Sequence, residues 1–388
     1  MSFIMNIRSV AKYESKILVR SWFFRIFTLL AVVFLGFFNF AMMLMEDNFG
    51  LWFAKSVSSN IPYLNLLLLN TGQAVVAVFL SSEFLKRDKK LDTFEVFYVR
   101  PLSNAEYVVG KIWGNLRVFL FLNLLVLAIV LAFNFMASGV TVDLPAYLVY
   151  FFLISIPTLI FIIGLSIFLM LLLKNQALTF ILLLGYIGLT LFYIQDKFYY
   201  LFDYMVYNLP LFKSTIVGFS NLELILNHRA IYFFAGLGFI FFTIFLFKRL
   251  PNARRSHYPW LFLSFCMFLL MVTAGFRHVR SILWEGEMRA LYTSINNKYV
   301  YEPKMAIDYY DISVEQKSET IRSVVGMEGT ALAASEVFIF CLNPGLRVEE
   351  VKDGEKSLNF KREEQILAVD FGRKIEKGDT ISFSVSYE

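Results

Sequence analysis

Charge is what this chain has least of. Only 17% of its 388 residues are Asp, Glu, Lys or Arg, against about a quarter in soluble domains. That shortage, with the apolar content below, excludes an ordinary water-soluble enzyme and a disordered chain. Cysteine is nearly absent: Cys266 and Cys341 stand alone, so a disulfide scaffold is excluded as well. One falls in an apolar run and the other in a strand-like stretch, and both read as packing thiols. No G-x-x-x-x-G-K-[ST] phosphate loop occurs. The three histidines, His228, His257 and His278, contain no H-E-x-x-H pair, so two-imidazole zinc hydrolysis has no ligands. Acidic pairs such as Glu349-Glu350 and Glu363-Glu364 read as solvated surface.

What fills the space is apolar: 58% of residues are hydrophobic, 44 of them Phe, and the mean hydropathy is +0.61. Crossing roughly 30 Å of hydrocarbon takes about 20 apolar residues in a helix. Seven stretches meet this: 24–45, 61–82, 116–136, 146–173, 177–195, 230–247 and 258–276. The fourth is long enough to require a tilt or a bend, and Pro157 is the natural place for one. The expected fold is a polytopic α-helical membrane protein of six to seven spans with a small C-terminal extracytoplasmic β-sandwich.

The net charge of +5 hides a division. Through Phe276 there are 21 Lys/Arg and 12 Asp/Glu; from Arg277 onward there are 15 and 19. The basic excess therefore sits in the hydrophobic part and is no sign of nucleic acid binding. Segments joining alternate spans carry 17 Lys/Arg on one side and four on the other, which places the N-terminus in the cytoplasm and everything after the seventh span outside. The first apolar run begins too late and is too long for a cleavable signal. Instead Arg8, Lys12, Lys16 and Arg20 recur every four residues. They read either as the basic stripe of an interfacial helix over 1–23, facing anionic headgroups, or as plain positive-inside flanking charge.

The spans, taken over 24–276, hold no charge in their middles, which counts against ion-coupled transport. Their polar residues are amides: Asn39, Asn65, Asn70, Gln73, Asn123 and Asn134. Asn39, Asn65, Asn70, Gln73 and Asn123 are candidates to line a translocation path; amides also serve as interhelical glue.

The most specific string is the link 83–115, EFLKRDKKLDTFEVFYVRPLSNAEYVVGKIWGN. Asp92 with Glu95 and Ser103 with Glu106 have capping-box spacing, and Pro101 separates them, predicting two short helices with a sharp corner. The charged run Lys86, Arg87, Asp88, Lys89, Lys90 is followed by Thr93-Phe94-Glu95, then Pro101-Leu102-Ser103, then Gly110-Lys111 entering the third span. This pattern resembles the cytoplasmic segment of ABC-2-type permeases, the membrane subunits of ATP-driven exporters. Asp92 stands where that family usually has Gly. The resemblance covers roughly 8–250 and implies an N-terminal elbow helix, six spans and a coupling element over 86–106. Lys86, Arg87, Asp88, Thr93, Glu95, Pro101, Ser103, Glu106, Gly110 and Lys111 carry it. It also implies a non-catalytic subunit of a bacterial inner-membrane exporter, with ATP and Mg on a separate ATPase partner and a second permease copy beside it. The family further places short re-entrant helices outside, and 196–228 fits, with Tyr199, Tyr200, Tyr204 and Tyr207 suited to the membrane interface or to a plain aromatic belt.

Residues 277–304 read as an external juxtamembrane helix, and 305–388 as six strands over 307–314, 319–326, 336–342, 346–352, 366–371 and 380–387, separated by turn signals. L-N-P-G-L, V-x-x-V, a D-G hairpin, I-L-x-V-D-F and K-G-D resemble the N-terminal β-domain of gluzincin aminopeptidases. Some bacterial permeases carry such a region after their last span. Here the zinc motif is absent, so the resemblance implies only a domain that guides substrate, meets a periplasmic partner or transmits motion. The competing expectation is a membrane-anchored extracytoplasmic binding or sensing protein.

Overall fold

The computed structural model describes residues 2–44, 57–82, 102–136, 141–194, 196–209, 211, 213, 218–219, 221–247, 258–317 and 320–388. Two compact units divide between Ser281 and Ile282. The first begins with α1 (Ser2–Arg20) and α2 (Trp22–Leu44), separated by Ser21 alone, then α3 (Asn60–Ser82) and α4 (Asn104–Met136). Next come α5 (Leu144–Tyr150), a π-turn (Phe151–Ser155) and α6 (Ile156–Leu173) in one unbroken run, then α7 (Gln176–Leu189) with a π-turn (Thr190–Ile194). Last are α8 (Leu222–Leu246) and α9 (Tyr258–Lys298), and the unit boundary falls inside α9. Among the described residues, seven helices are long and apolar enough to cross a membrane.

Local chemistry sets the corners. Lys174 takes a left-handed conformation that stops α6, and Asn175 caps α7 by accepting from the amides of Ala177 (3.0 Å) and Leu178 (3.2 Å). The Asp143 side chain caps α5, with Pro145 in the first turn, where a missing N–H costs nothing. Where a bend was expected at Pro157, the irregularity is the π-turn just before it. Helices approach most closely at glycine: a Cβ on Gly164 would stand 2.6 Å from the carbonyl oxygen of Gly236, so α6 and α8 cross backbone to backbone.

Two boundaries differ from expectation. The third span reaches back to Asn104, because the Ser103 cap starts a helix that continues through polar residues into the apolar run. The sixth starts at Leu222 rather than 230, which takes His228 and Arg229 inside the helix. The segment 196–221 holds no re-entrant helical hairpin among its described residues. It has one short turn at Phe198–Tyr200 and otherwise irregular chain, and Tyr204 lies inside the packed unit instead of at an interface.

The second unit holds two antiparallel sheets. One has the order β1-β2-β8-β4-β5, from β1 (Met305–Lys317), β2 (Thr320–Ala331), β8 (Thr380–Tyr387), β4 (Val348–Asp353) and β5 (Lys356–Ser357). The other has the order β3-β7-β6, from β3 (Ser335–Cys341), β7 (Ile366–Ile375) and β6 (Asn359–Glu363). In β8, Ile381, Phe383 and Val385 are buried while the residues between them are not, the period-2 pattern of a half-buried strand. Phe371 of one sheet meets Phe383 of the other with ring centroids 5.5 Å apart. Gly354, with φ of 59°, opens the two-residue loop between β4 and β5. Eight strands replace the expected six because β5 and β6 are short and polar and show no alternation.

Candidate functional site

Three places in the first unit bring buried polar side chains together. The first is the seam between α1 and the start of α4. The Ser103 amide donates to Glu106 Oε2 at 2.6 Å and the Glu106 amide to Ser103 Oγ at 3.2 Å, a reciprocal capping box. The other Glu106 oxygen accepts from Asn6 Nδ2 of α1 at 2.9 Å. One turn on, Lys111 Nζ meets Glu14 Oε1 at 3.1 Å, with both side chains almost wholly withdrawn from solvent. Ser15 Oγ donates to the Gly114 carbonyl at 2.7 Å, and Arg117 Nη2 to the Ala11 carbonyl at 2.8 Å.

Such contacts need the two backbones close together, and Gly110 and Gly114 allow it. A Cβ on Gly110 would lie 2.7 Å from Val10 Cβ, and one on Gly114 2.8 Å from the Ala11 carbonyl oxygen. The same end of α4 is tied to α8 by Asn104 Nδ2, which donates to the Phe247 carbonyl at 2.6 Å, and by stacking of Tyr107 on Phe247. Gly110 and Lys111 therefore brace the start of α4 against α1. Of the other residues assigned to the coupling element, Lys86, Arg87, Asp88, Thr93, Glu95 and Pro101 lie outside the described residues.

The second place is a set of buried amides. Asn39 and Asn65 exchange two hydrogen bonds, at 2.7 and 3.1 Å, joining α2 to α3. Asn70 Nδ2 donates to Asn123 Oδ1 at 3.0 Å, and Asn123 Nδ2 to Gln73 Oε1 at 2.9 Å, joining α3 to α4. Ser155 of the π-turn donates to Asn123 Oδ1 at 2.9 Å. All five amides expected along a path are buried; Asn39 and Asn65 bond to each other, and Asn123 bonds to both Asn70 and Gln73. The bonds that cross between helices are those of interhelical glue, while Asn70 Oδ1 and Gln73 Nε2 are buried without a hydrogen-bond partner among the described residues.

The third place was not anticipated. Arg229, two turns into α8 and buried, donates to the Leu153 carbonyl (2.6 Å), the Tyr204 carbonyl (2.9 Å) and Thr158 Oγ1 (2.8 Å). A π-turn replaces i→i−4 bonds with wider ones, and the Leu153 carbonyl of the Phe151–Ser155 π-turn turns to the guanidinium. Nearby Asp203 is also buried and accepts from the Asn208 amide at 2.9 Å. Burial pushes its carboxyl above the ordinary range, while the surrounding amides and Arg229 pull the other way.

Beside this pair the backbone is strained. Phe198, Tyr199 and Tyr200 all have positive φ, costing roughly 1–2 kcal/mol each. Three side chains hold the turn in place. His278 Nε2 donates to the Tyr199 carbonyl (2.8 Å), His228 Nε2 to the Tyr200 carbonyl (3.0 Å) and Tyr232 Oη to the Leu201 carbonyl (2.5 Å). The signal in the sequence was the pair His228-Arg229, polar residues abutting an apolar run, which the hydropathy boundary at 230 assigned to the outer loop.

Among the described residues, no cluster of three or more His, Cys, Asp and Glu stands close enough to hold a metal ion. Comparison with protein-family models and with curated proteins finds no match.

Proposed function

We propose that the chain is the membrane-spanning subunit of an ATP-binding-cassette exporter, worked by a separate ATPase and paired with a second permease copy in a bacterial inner membrane. Four things support this reading. They are the seven apolar helices, the one-sided distribution of Lys and Arg, the ungapped Thr93-to-Lys111 string, and the missing phosphate loop. The observation that carries it is the brace on α4. A helix that starts at a rigid capping box, is fixed to α1 by Glu106 and Lys111, and runs 33 residues into the apolar interior moves as one body. A push on the segment just before Ser103 is then delivered to the depth of Asn123.

On this reading 86–106 meets the ATPase from the cytoplasm and the β-unit works outside. The test is isolation of the full chain from its native membrane: an ATPase carrying a phosphate-loop motif should accompany it and lose stimulated turnover on Glu95→Ala.

A second reading, a membrane-anchored binding or sensing protein, is favoured by one feature. Tyr310, Ile312 and Val314 of edge strand β1 are exposed apolar residues on one face. Deleting 305–388 separates the two, because a sensor loses all response and a permease retains partner-stimulated ATP turnover.

A further inference from the structure

We propose that the outward face of α1 is a binding site for anionic phospholipid headgroups, and that this site is mechanically joined to α4. Arg8, Lys12, Lys16 and Arg20 are all exposed. At four-residue spacing each is turned only about 40° from the last, so the four form one stripe about 18 Å long. The side of α1 that is buried holds Ala11, Glu14 and Leu18 and faces away from that stripe. Among the described residues none of the four cations has an ion-pair partner. The one acid of α1, Glu14, is turned inward to Lys111. Four positive charges are thus presented on one surface with nothing in the described chain to neutralise them.

The neighbours of these cations identify the occupant. Ile4, Met5, Tyr13 and Val19 are exposed between and beside them, and Trp22 follows at 75% exposure. A helix with cations, aliphatic side chains and an aromatic at its end matches the headgroup region of a bilayer, where charge attracts and apolar groups enter the acyl boundary. Nucleic acid or an acidic protein would leave those aliphatic residues in water. Only Ser21 separates α1 from α2, an apolar helix of spanning length, so the C-terminal end of α1 is tied to the membrane surface. Its opposite side holds α4 through Glu14, Asn6 and Ser15. Headgroups that fix α1 therefore fix the first turns of α4. The inference needs α2 to cross a bilayer but does not depend on the exporter reading.

The test reconstitutes the full chain in discs of phosphatidylcholine alone or of phosphatidylcholine with phosphatidylglycerol. Hydrogen–deuterium exchange of the α1 amides is followed at low and high salt. Phosphatidylglycerol should slow exchange in α1, and high salt should remove the effect. The variant R8Q/K12Q/K16Q/R20Q should lack it, while R8K/R20K, which keeps the charge, should retain it. The preference for phosphatidylglycerol over phosphatidylcholine among lipids retained on purification should fall on the order of fivefold per neutralised cation. Should the fourfold variant fail to insert, the pairs R8Q/R20Q and K12Q/K16Q give the same reading at half the amplitude. Equal exchange in the two discs would overturn the proposal. So would a phosphatidylglycerol effect that survives neutralisation, or equal protection by glycerol phosphate free in solution or by a soluble acidic protein.

Discussion

Lys111 and Glu14, 97 positions apart in the chain, form an ion pair at 3.1 Å with 1% and 4% of their side chains exposed. Removing one partner from such a pair leaves a buried charge unmatched, at a cost of about 3–5 kcal/mol, whereas replacing both with apolar groups is often neutral. Lys111→Met and Glu14→Met should each lower the melting temperature of the purified chain and expose α1 to protease. The double variant should recover most of the loss. Additive losses in that cycle would mean that the pair is not coupled.

Gly114 should not tolerate a side chain. Gly114→Val forces a Cβ to within 2.8 Å of the Ala11 carbonyl oxygen, and no rotamer relieves a backbone clash. Cysteines placed at Ser15 and Arg117, whose side chains meet across the same seam, in a background lacking the native pair should cross-link with a short reagent. A valine at Gly110 should abolish that cross-link without changing α6–α8 contacts. Cross-linking that persists would contradict the close approach.

Arg229→Met strips the guanidinium donor from the Leu153 carbonyl and Thr158 Oγ1, and leaves the Tyr204 carbonyl only the longer bond from Thr158 Oγ1 at 3.3 Å. A buried acceptor stripped of its partner costs about 1–3 kcal/mol, so the total should exceed roughly 3 kcal/mol. Arg229→Lys keeps the charge but has no fork to reach α6 and residue 204 together, and should recover less than half. Thermal unfolding in detergent reads both. Equal stability of the lysine variant and the parent would show that charge alone matters there.

In the second unit, Tyr299 Oη donates to Glu363 Oε2 at 2.5 Å and Lys298 Nζ to the same carboxylate at 2.9 Å. The hydrogen bond from Tyr299, then that from Lys298, hold the Glu363 carboxyl below its ordinary value. A depressed carboxylate favours the folded state at pH above the ordinary Glu value, and the contribution is lost as pH falls through the lower folded value. Exchange protection at residues 292–299 should therefore weaken below about pH 4 in the parent. In Glu363→Gln that acid step should be absent.

Much of this architecture is legible in the residues because the signals are local. Ser103 and Glu106 specify a helix start by spacing alone, and the apolar runs specify helices by length. What is not legible depends on partners. Gly110 and Gly114 look like ordinary helix glycines until α1 is laid across them. The buried amides read equally well as a path or as glue, because only pairing across helices distinguishes these, and Asn39 pairs with Asn65 from a different helix. Arg229 was assigned to a loop because hydropathy averages charge away from a span, while the acceptors that make its burial tolerable come from a π-turn 75 residues earlier. Strand β6 escaped because Asn359–Glu363 pairs through its backbone and buries almost no side chain.

The exporter reading is tested most directly by isolating the full chain under mild detergent from its native membrane and assaying the eluate for a phosphate-loop ATPase. The reading predicts that such an ATPase co-elutes in a fixed ratio, that its turnover rises in the complex, and that Glu95→Ala uncouples it while Glu363→Gln does not. A chain that elutes without any ATPase, under conditions where α1 remains protected against α4, would contradict it.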